Sequence, residues 1–324
     1  MGFAVLDETF VRQNLADGIC CELMAAALAE EDRKDSVQYQ RMALTFPDGN
    51  RFGIMPCWNQ NYYSVKLIGA YPSNPRRGYS SHQGQIFLFD SRNGRILACL
   101  DGGSVTEIRT AAVSAVAASA LSVPSSSFCL AIIGCGAQGR SHLKTFLTRF
   151  APERVNLWDR NPQKARHLAA ETDRGSAVVC VSESIELAVR EADVICTVTA
   201  SKEPLLHLEW IKPGAHINAV GACSPDSREL CAELVAGCEL FCDSIEGLQK
   251  ESGDYLIPLR ERLITDNIIK GTLGQLLNGK ITGRSGPKAI TVFESLGMAA
   301  QDLAAAEYLY EAWVRQDSSK KMQK

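Results

Sequence analysis

An α/β architecture, with a doubly wound parallel sheet beside a separate α+β unit, is predicted by three features of this 324-residue chain. From residue 125 onward, short apolar β-rich runs alternate with helical segments, the pattern of a parallel sheet covered on both faces. One of those runs, 128–133, leads directly into a glycine-rich turn at the start of a helical segment. Before residue 122 the β segments instead follow one another closely, separated by turn residues, as in antiparallel hairpins.

In chain order, Asp7 is placed to cap a single long amphipathic helix reaching about Ala29, with Phe10, Val11, Leu15, Ile19, Leu23 and Leu28 at roughly helical period. Strands follow at 40–46, 51–55, 63–69, 85–90 and 95–100, and Asn93-Gly94 between the last two is a hairpin turn signal. Thr106 is read as the cap of an alanine-rich helix, 107–121, which stops before Pro124 and carries Arg109 in its first turn, at the junction of the units. The second unit's strands are expected at 128–133, 155–159, 177–181, 193–198, 216–220 and 240–243. Beyond about Thr291 a final helix, 299–313, is expected to pack back on the first unit, leaving a polar, frayed tail at 316–324. The predicted units are therefore 1–122, completed by 299–324, and 123–298.

The glycine-rich turn carries the first functional reading. Gly134, Gly136 and Gly139 stand at the G-x-G-x-x-G spacing: one for the tight turn, one for backbone approach to a pyrophosphate, one for close packing of helix on strand. Phosphates would then meet the N–H groups of Gly134, Gly136, Ala137, Gln138 and Gly139 at a helix N-terminus. The run 154–159 ends in Asp159, about 20 residues beyond the glycines, where a carboxylate takes the ribose hydroxyls of a dinucleotide. The predicted unit is thus of Rossmann type. Asp159 favours NAD(H), while Arg160 beside it suits a 2′-phosphate and keeps NADP(H) open.

Composition narrows the remaining classes. A hydrophobic fraction of 46% and a charged fraction of 22% are those of an ordinary globular protein. A net charge of −3 and a pI near 6.0 disfavour nucleic acid and anionic membranes as partners. The twelve cysteines, single apart from adjacent Cys20-Cys21 and without a C-x-x-C pair, read as reduced thiols of a cytoplasmic protein. Cys231, Cys238 and Cys242 match no zinc spacing and have no histidine among them, so no metal is expected. Neither a signal peptide nor an apolar run of about 18 residues is present, so a cytoplasmic location is expected.

Three cations of the first unit are candidates to face a substrate: Arg41, Lys66 and Arg109. Lys66 lies within an otherwise apolar strand, an unusual place for an ammonium without a partner, and burial lowers a lysine's pKa toward neutrality. The bland alternative is a snorkelling strand lysine and two surface arginines.

Nearly the whole chain resembles the ornithine cyclodeaminase and mu-crystallin family. The matching landmarks are Arg41, RFGIMP at 51–56, SVKLIG around Lys66, SSHQGQIFLFD at 80–90, LDGGSVTEIRTAAVSA at 100–115, GCGAQG, KPGAHINAVGA at 212–222, KESGD at 250–254 and ITVFESLGMAAQD at 290–302. The resemblance implies a homodimer in which a nicotinamide-binding domain accompanies a dimerisation and substrate domain. It implies that Arg41, Lys66 and Arg109 hold the substrate carboxylate beside the reacting carbon, and that Ser81, His82, Thr199, Gly221 and Ser295 lie near the cofactor.

One departure from the family pattern is informative. Family cyclodeaminases and alanine dehydrogenases have Asp where this chain has Cys223, followed by SPDSREL, which is closer to the mu-crystallin ketimine reductase pattern. Asp226, three positions on, is the candidate replacement base. The expected activity is NAD(P)H-dependent reduction of an imino acid, foremost a cyclic ketimine carboxylate of the pyrroline or piperideine type, to the L-amino acid. Competing readings are an alanine dehydrogenase-like amino-acid dehydrogenase, a linear imine reductase and, behind them, an ornithine cyclodeaminase. A mu-crystallin-like small-molecule binding protein is the alternative from another class.

Overall fold

The computed structural model describes residues 2–322 other than 124, 126 and 174, so Pro124 lies outside the described residues. The chain forms two compact units, one running up to Arg109 and resuming at Met298, the other Thr110–Gly297.

The first unit begins with β1 (Ala4–Leu6), α1 (Glu8–Asn14), α2 (Asp17–Arg33), β2 (Ser36–Gln38) and β3 (Met42–Thr45). It continues with β4 (Arg51–Asn59), β5 (Tyr62–Ala70), β6 (His82–Asp90), β7 (Ile96–Asp101) and the start of α3 (Gly102–Leu121). These strands make a seven-stranded sheet ordered β1-β7-β6-β5-β4-β2, with β3 also on β4. All its pairings are antiparallel except that of β1 with β7. Alternate residues Met55, Cys57, Ser64, Lys66, Ile86 and Leu88 are buried, and the C-terminal helix (Ala299–Met322) packs against α2, β4 and β5. Its buried Ala305 and Ala306 are small enough for close approach.

Several expectations are corrected here. The single N-terminal helix is two: Asp7 caps only α1, accepting from Phe10 N, and the chain turns at Leu15 before α2, which starts after Ala16 without a side-chain cap. The corner buries both Val11 and Leu15. β4 runs through Pro56 because the missing N–H falls between the stretches of β4 that pair with β3 and β2. Thr106 is not a cap: α3 starts at Gly102, and Asp101 accepts from Ser104 N at 2.7 Å. A Cβ on Gly102 would lie 3.0 Å from backbone atoms of Gly84, so glycine here serves close packing on β6. Arg109 consequently lies beyond the first turn of α3. The C-terminal helix continues to Met322, well past the expected end at 313, so the chain from 316 to there is helical.

The second unit contains β8 (Cys129–Ile133), α4 (Ala137–Phe150), β9 (Arg154–Trp158), α5 (Pro162–Glu171), β10 (Val178–Val181), α6 (Ile185–Val189) and β11 (Val194–Thr197). Then come β12 (His216–Ala219), α7 (Ala232–Ala236), β13 (Glu239–Cys242), α8 (Ile245–Glu251), α9 (Gly253–Arg260), β14 (Ile269–Thr272), α10 (Leu273–Leu277) and β15 (Thr291–Glu294). They build the expected doubly wound sheet, eight parallel strands ordered β10-β9-β8-β11-β12-β15-β13-β14. The chain winds outward from β8 to β10 and then returns to β11, so the direction of winding reverses between β8 and β11. Ligands of such sheets bind outside the carboxyl ends of the strands at that reversal. β14 and β15 were not expected from the sequence. β15 inserts between β12 and β13, fully buried, far in sequence from both partners.

Candidate active site

The glycine turn sits at the reversal point. Gly134 has φ +108°, and a Cβ there would lie 2.9 Å from Val198 O and 3.0 Å from Thr199 Cγ2. A Cβ on Gly139 would meet Gly134 O at 2.0 Å, whereas one on Gly136 would project into open space. The first and third glycines therefore serve packing, and the second keeps a cradle clear. α4 starts at Ala137, so Ala137, Gln138 and Gly139 form its first turn. Its N-cap, Gly136, makes no side-chain cap hydrogen bond, leaving that end suited to an anion.

Asp159 follows β9 and is fixed by backbone donors. Its Oδ2 accepts from Cys135 N and its Oδ1 from Asn161 N, both at 2.8 Å. Each oxygen keeps a lone pair for a ribose diol, and Arg160 is exposed beside it. Thr199, Gly221 and Ser295 follow β11, β12 and β15 at the carboxyl ends of their strands. Ser295 Oγ is buried and has no partner among the described residues, a hydroxyl available to a ligand. An open cradle, an uncapped helix start, a terminal acid and this hydroxyl fit a dinucleotide.

Cys223 is exposed, and its thiol donates to Val220 O at 3.3 Å. Asp226 is exposed in the same loop. Cys231, Cys238 and Cys242 are buried, and burial pushes their thiols above the ordinary range.

In the first unit, two of the three candidate cations are held together by a residue that sequence reasoning missed. Lys66, on the buried face of β5, lies 2.7 Å from Asp302 Oδ2, and both side chains are 1% exposed. Arg109 donates from Nε to Asp302 Oδ1 at 3.2 Å and from Nη1 to Gln301 Oε1 at 2.8 Å. Lys66 also donates to Thr106 Oγ1 at 3.4 Å. Burial lowers Lys66 to about 8, the charges of Arg109 and Arg41 push the same way, and Asp302 opposes them. Neither Lys66 nor Arg109 is a snorkelling surface cation.

Lys66, Arg109 and Asp302 together carry one excess positive charge in a buried setting, an arrangement that attracts a carboxylate. Arg41, in the segment between β2 and β3, is half-buried. Ser81 Oγ and His82 Nδ1 are 3.1 Å apart at the start of β6. The signal for Asp302 was present: Gln301-Asp302 is a polar pair embedded in AAQDLAAA, an otherwise apolar stretch of helix.

Comparison with known proteins identifies the family and the fold. Residues 4–317 match the model of the ornithine cyclodeaminase/mu-crystallin family. The chain belongs to that family. Mouse ketimine reductase mu-crystallin is 41% identical over 263 residues, covering 81% of this chain and 80% of the mouse protein. Among solved structures, Thermococcus litoralis Δ1-pyrroline-2-carboxylate reductase in complex with NADH and L-proline matches with a TM-score of 0.93 at 29% identity, covering 97% of this chain and 98% of that one. An archaeal alanine dehydrogenase dimer with bound NAD matches with a TM-score of 0.92 at 26% identity, over 98% of each chain. Among the described residues of this family member, no helix is long and apolar enough to cross a membrane.

Proposed function

We propose that this protein is an NAD(P)H-dependent imino-acid reductase that converts a cyclic ketimine carboxylate of the pyrroline or piperideine type to the corresponding L-amino acid. The observation that carries this reading is the buried Lys66–Asp302–Arg109 cluster, whose excess positive charge suits a carboxylate beside a protonated nitrogen. The names of the mouse and Thermococcus relatives point the same way. In this assignment the first unit supplies substrate-binding and dimerisation surfaces, and the second binds the cofactor. The archaeal alanine dehydrogenase dimer supports homodimeric assembly.

The nicotinamide, when bound, supplies the hydride. Gly134, Gly136, Ala137, Gln138 and Gly139 would receive its pyrophosphate and Asp159 its ribose diol, with NADH preferred over NADPH. Ser81, His82, Thr199, Gly221 and Ser295 would complete the cofactor's surroundings. Arg109, held in orientation by Asp302 and Gln301, would take the substrate carboxylate together with Arg41. Lys66 would keep the imine nitrogen protonated, a task suited to an ammonium lowered to about 8. Positioning and electrostatics thereby supply most of the rate.

Steady-state oxidation of NADH with cyclic ketimine carboxylates, and with linear imines formed from 2-oxo acids and amines, tests this proposal. Turnover is expected with the cyclic substrates, and its absence across the panel overturns the reading. Asp226 would become the proton acceptor of a longer reaction only if proline formed from ornithine.

A further inference from the structure

Among the described residues, the second unit buries four carboxyl side chains that the mechanism above does not use, Asp243 at 2% exposure and three that form a linked group. Glu229 is 0% exposed, Asp254 1% and Glu294 2%. Glu229 Oε1 accepts from Thr199 N at 2.7 Å and Thr199 Oγ1 at 2.6 Å, while its Oε2 accepts from Gly221 N at 2.8 Å. One side chain therefore bridges the loops that follow β11 and β12. Its own backbone is held in turn, since Glu229 N and Leu230 N both donate to Asp254 Oδ1 at 2.7 Å. Ser252 Oγ donates to Glu294 Oε2 at 3.0 Å at the end of β15.

These bonds connect to the glycine turn by packing. The Cβ position of Gly134 lies within 3.0 Å of Thr199 Cγ2, so the place of Thr199 sets the place of the turn. Gly221 is equally constrained, because a Cβ there would sit 2.1 Å from Thr199 O and 2.6 Å from Glu229 Oε1. A continuous path runs Gly134, Thr199, Glu229, Gly221 across the point where the sheet reverses its winding, the place where ligands of this fold bind.

Charge distribution within the cluster favours this role. Burial and mutual repulsion push Asp254 up to about 8 and Glu294 well above the ordinary carboxyl range. Burial raises Glu229 too, but its donors oppose the shift and favour its ionised form.

We propose that Glu229 is a positioning residue for the dinucleotide, holding Thr199 and Gly221 in place beside the glycine turn before the cofactor arrives. This rests on reading the second unit as the nicotinamide-nucleotide site. A glutamine at this position would keep the shape but present an amide donor to at least one N–H, breaking the bridge.

The test compares wild type and Glu229→Gln by NADH fluorescence titration, imino-acid KM, thermal midpoint and amide exchange of peptides covering 197–201 and 219–223. In the folded variant, NADH binding is expected to weaken by about tenfold or more, the loss of one buried hydrogen bond with its donor left unsatisfied, while imino-acid KM stays within about twofold. In cofactor-free wild type the Thr199 and Gly221 amides are expected to exchange slowly, and in the variant faster. A lowered thermal midpoint with unchanged NADH affinity would mean a purely structural role and overturn the proposal. If the variant does not fold, wild-type exchange decides alone: rates of an unprotected loop at Thr199 and Gly221 overturn it. Failure of wild type to bind NADH would overturn the functional reading and this proposal with it, an outcome distinct from equal binding by both proteins.

Discussion

Lys66 and Asp302 form an ion pair of 2.7 Å in which each side chain is 1% exposed. The acid on the C-terminal helix thus answers the ammonium on β5, and the same carboxylate reaches Arg109 at 3.2 Å. Burying two cations against one anion leaves a positive charge unmatched by this carboxylate. Such a site is expensive to build for stability alone and is better suited to receiving an anion.

Asp302→Asn removes the carboxylate charge that Lys66 and Arg109 share. Breaking a buried pair by loss of one partner is expected to cost about 3–5 kcal/mol, since an uncompensated charge remains in the core. Urea denaturation checks this, and a loss below about 1 kcal/mol would mean that Asp302 is better solvated than its burial implies.

Arg109→Leu removes the forked donor proposed for the substrate carboxylate. It should lower kcat/KM by the equivalent of about 2–4 kcal/mol while NADH affinity changes little. Arg109→Lys should also be impaired, because a point charge cannot satisfy Asp302, Gln301 and substrate together. Near-normal kcat/KM in Arg109→Leu would remove the residue from the site.

Activity should depend on pH through Lys66. Its folded-state pKa is lowered to about 8, so the ammonium is present below that pH and lost above it. With the proton required at the imine nitrogen, kcat/KM should fall about tenfold per pH unit above about 8. The same depression gives an opposite trend in stability. The unfolded chain holds this proton more tightly, so the penalty is fully present below about pH 8 and is relieved as pH rises toward the ordinary lysine value. A flat kcat/KM profile from pH 7 to 10 would contradict the assigned role.

Cofactor preference should rest on Asp159, whose Oδ1 and Oδ2 are fixed by Asn161 N and Cys135 N. A carboxylate so placed repels a 2′-phosphate, so wild type should show higher kcat/KM with NADH, and Asp159→Ala should shift the ratio toward NADPH. A wild-type preference for NADPH that Asp159→Ala leaves unchanged would contradict this.

The parts of the molecule legible in the sequence were those whose partners lie close along the chain or follow a fixed spacing. The glycine turn, Asp159 and the alternation of strands and helices belong to this group, as does the Asn93-Gly94 hairpin, where Gly94 has φ +73°. Lys66 stood out because an ammonium in an apolar strand demands a partner. Asp302 had a signal of its own, in a polar pair within an apolar stretch of helix, but its pairing with Lys66 had none, since only the tertiary fold brings that helix to β5. β15 escaped for the same reason, being a short apolar run whose neighbours β12 and β13 are chosen by the sheet and not by adjacency in the chain. Thr106 was misread because its residue type suits a cap, yet Asp101 already fills that role and the Thr106 hydroxyl accepts from Lys66. Glu229 gave no signal at all, being one acid among several in a loop, with its meaning carried by the backbone amides it accepts from.

The most direct test of the central claim is a paired assay on one enzyme preparation, NADH with a cyclic ketimine carboxylate on one side, NAD⁺ with L-ornithine on the other. Reduction of a protonated ketimine needs a hydride donor and a group that keeps the nitrogen charged. Cyclodeamination needs further proton transfers, and the family resemblance matches Cys223 to a position where cyclodeaminases carry a carboxylate. NADH oxidation with formation of the L-amino acid, and no proline or ammonia from ornithine, is the predicted result. Proline and ammonia released at a rate comparable to imine reduction would contradict it and assign the missing base to Asp226.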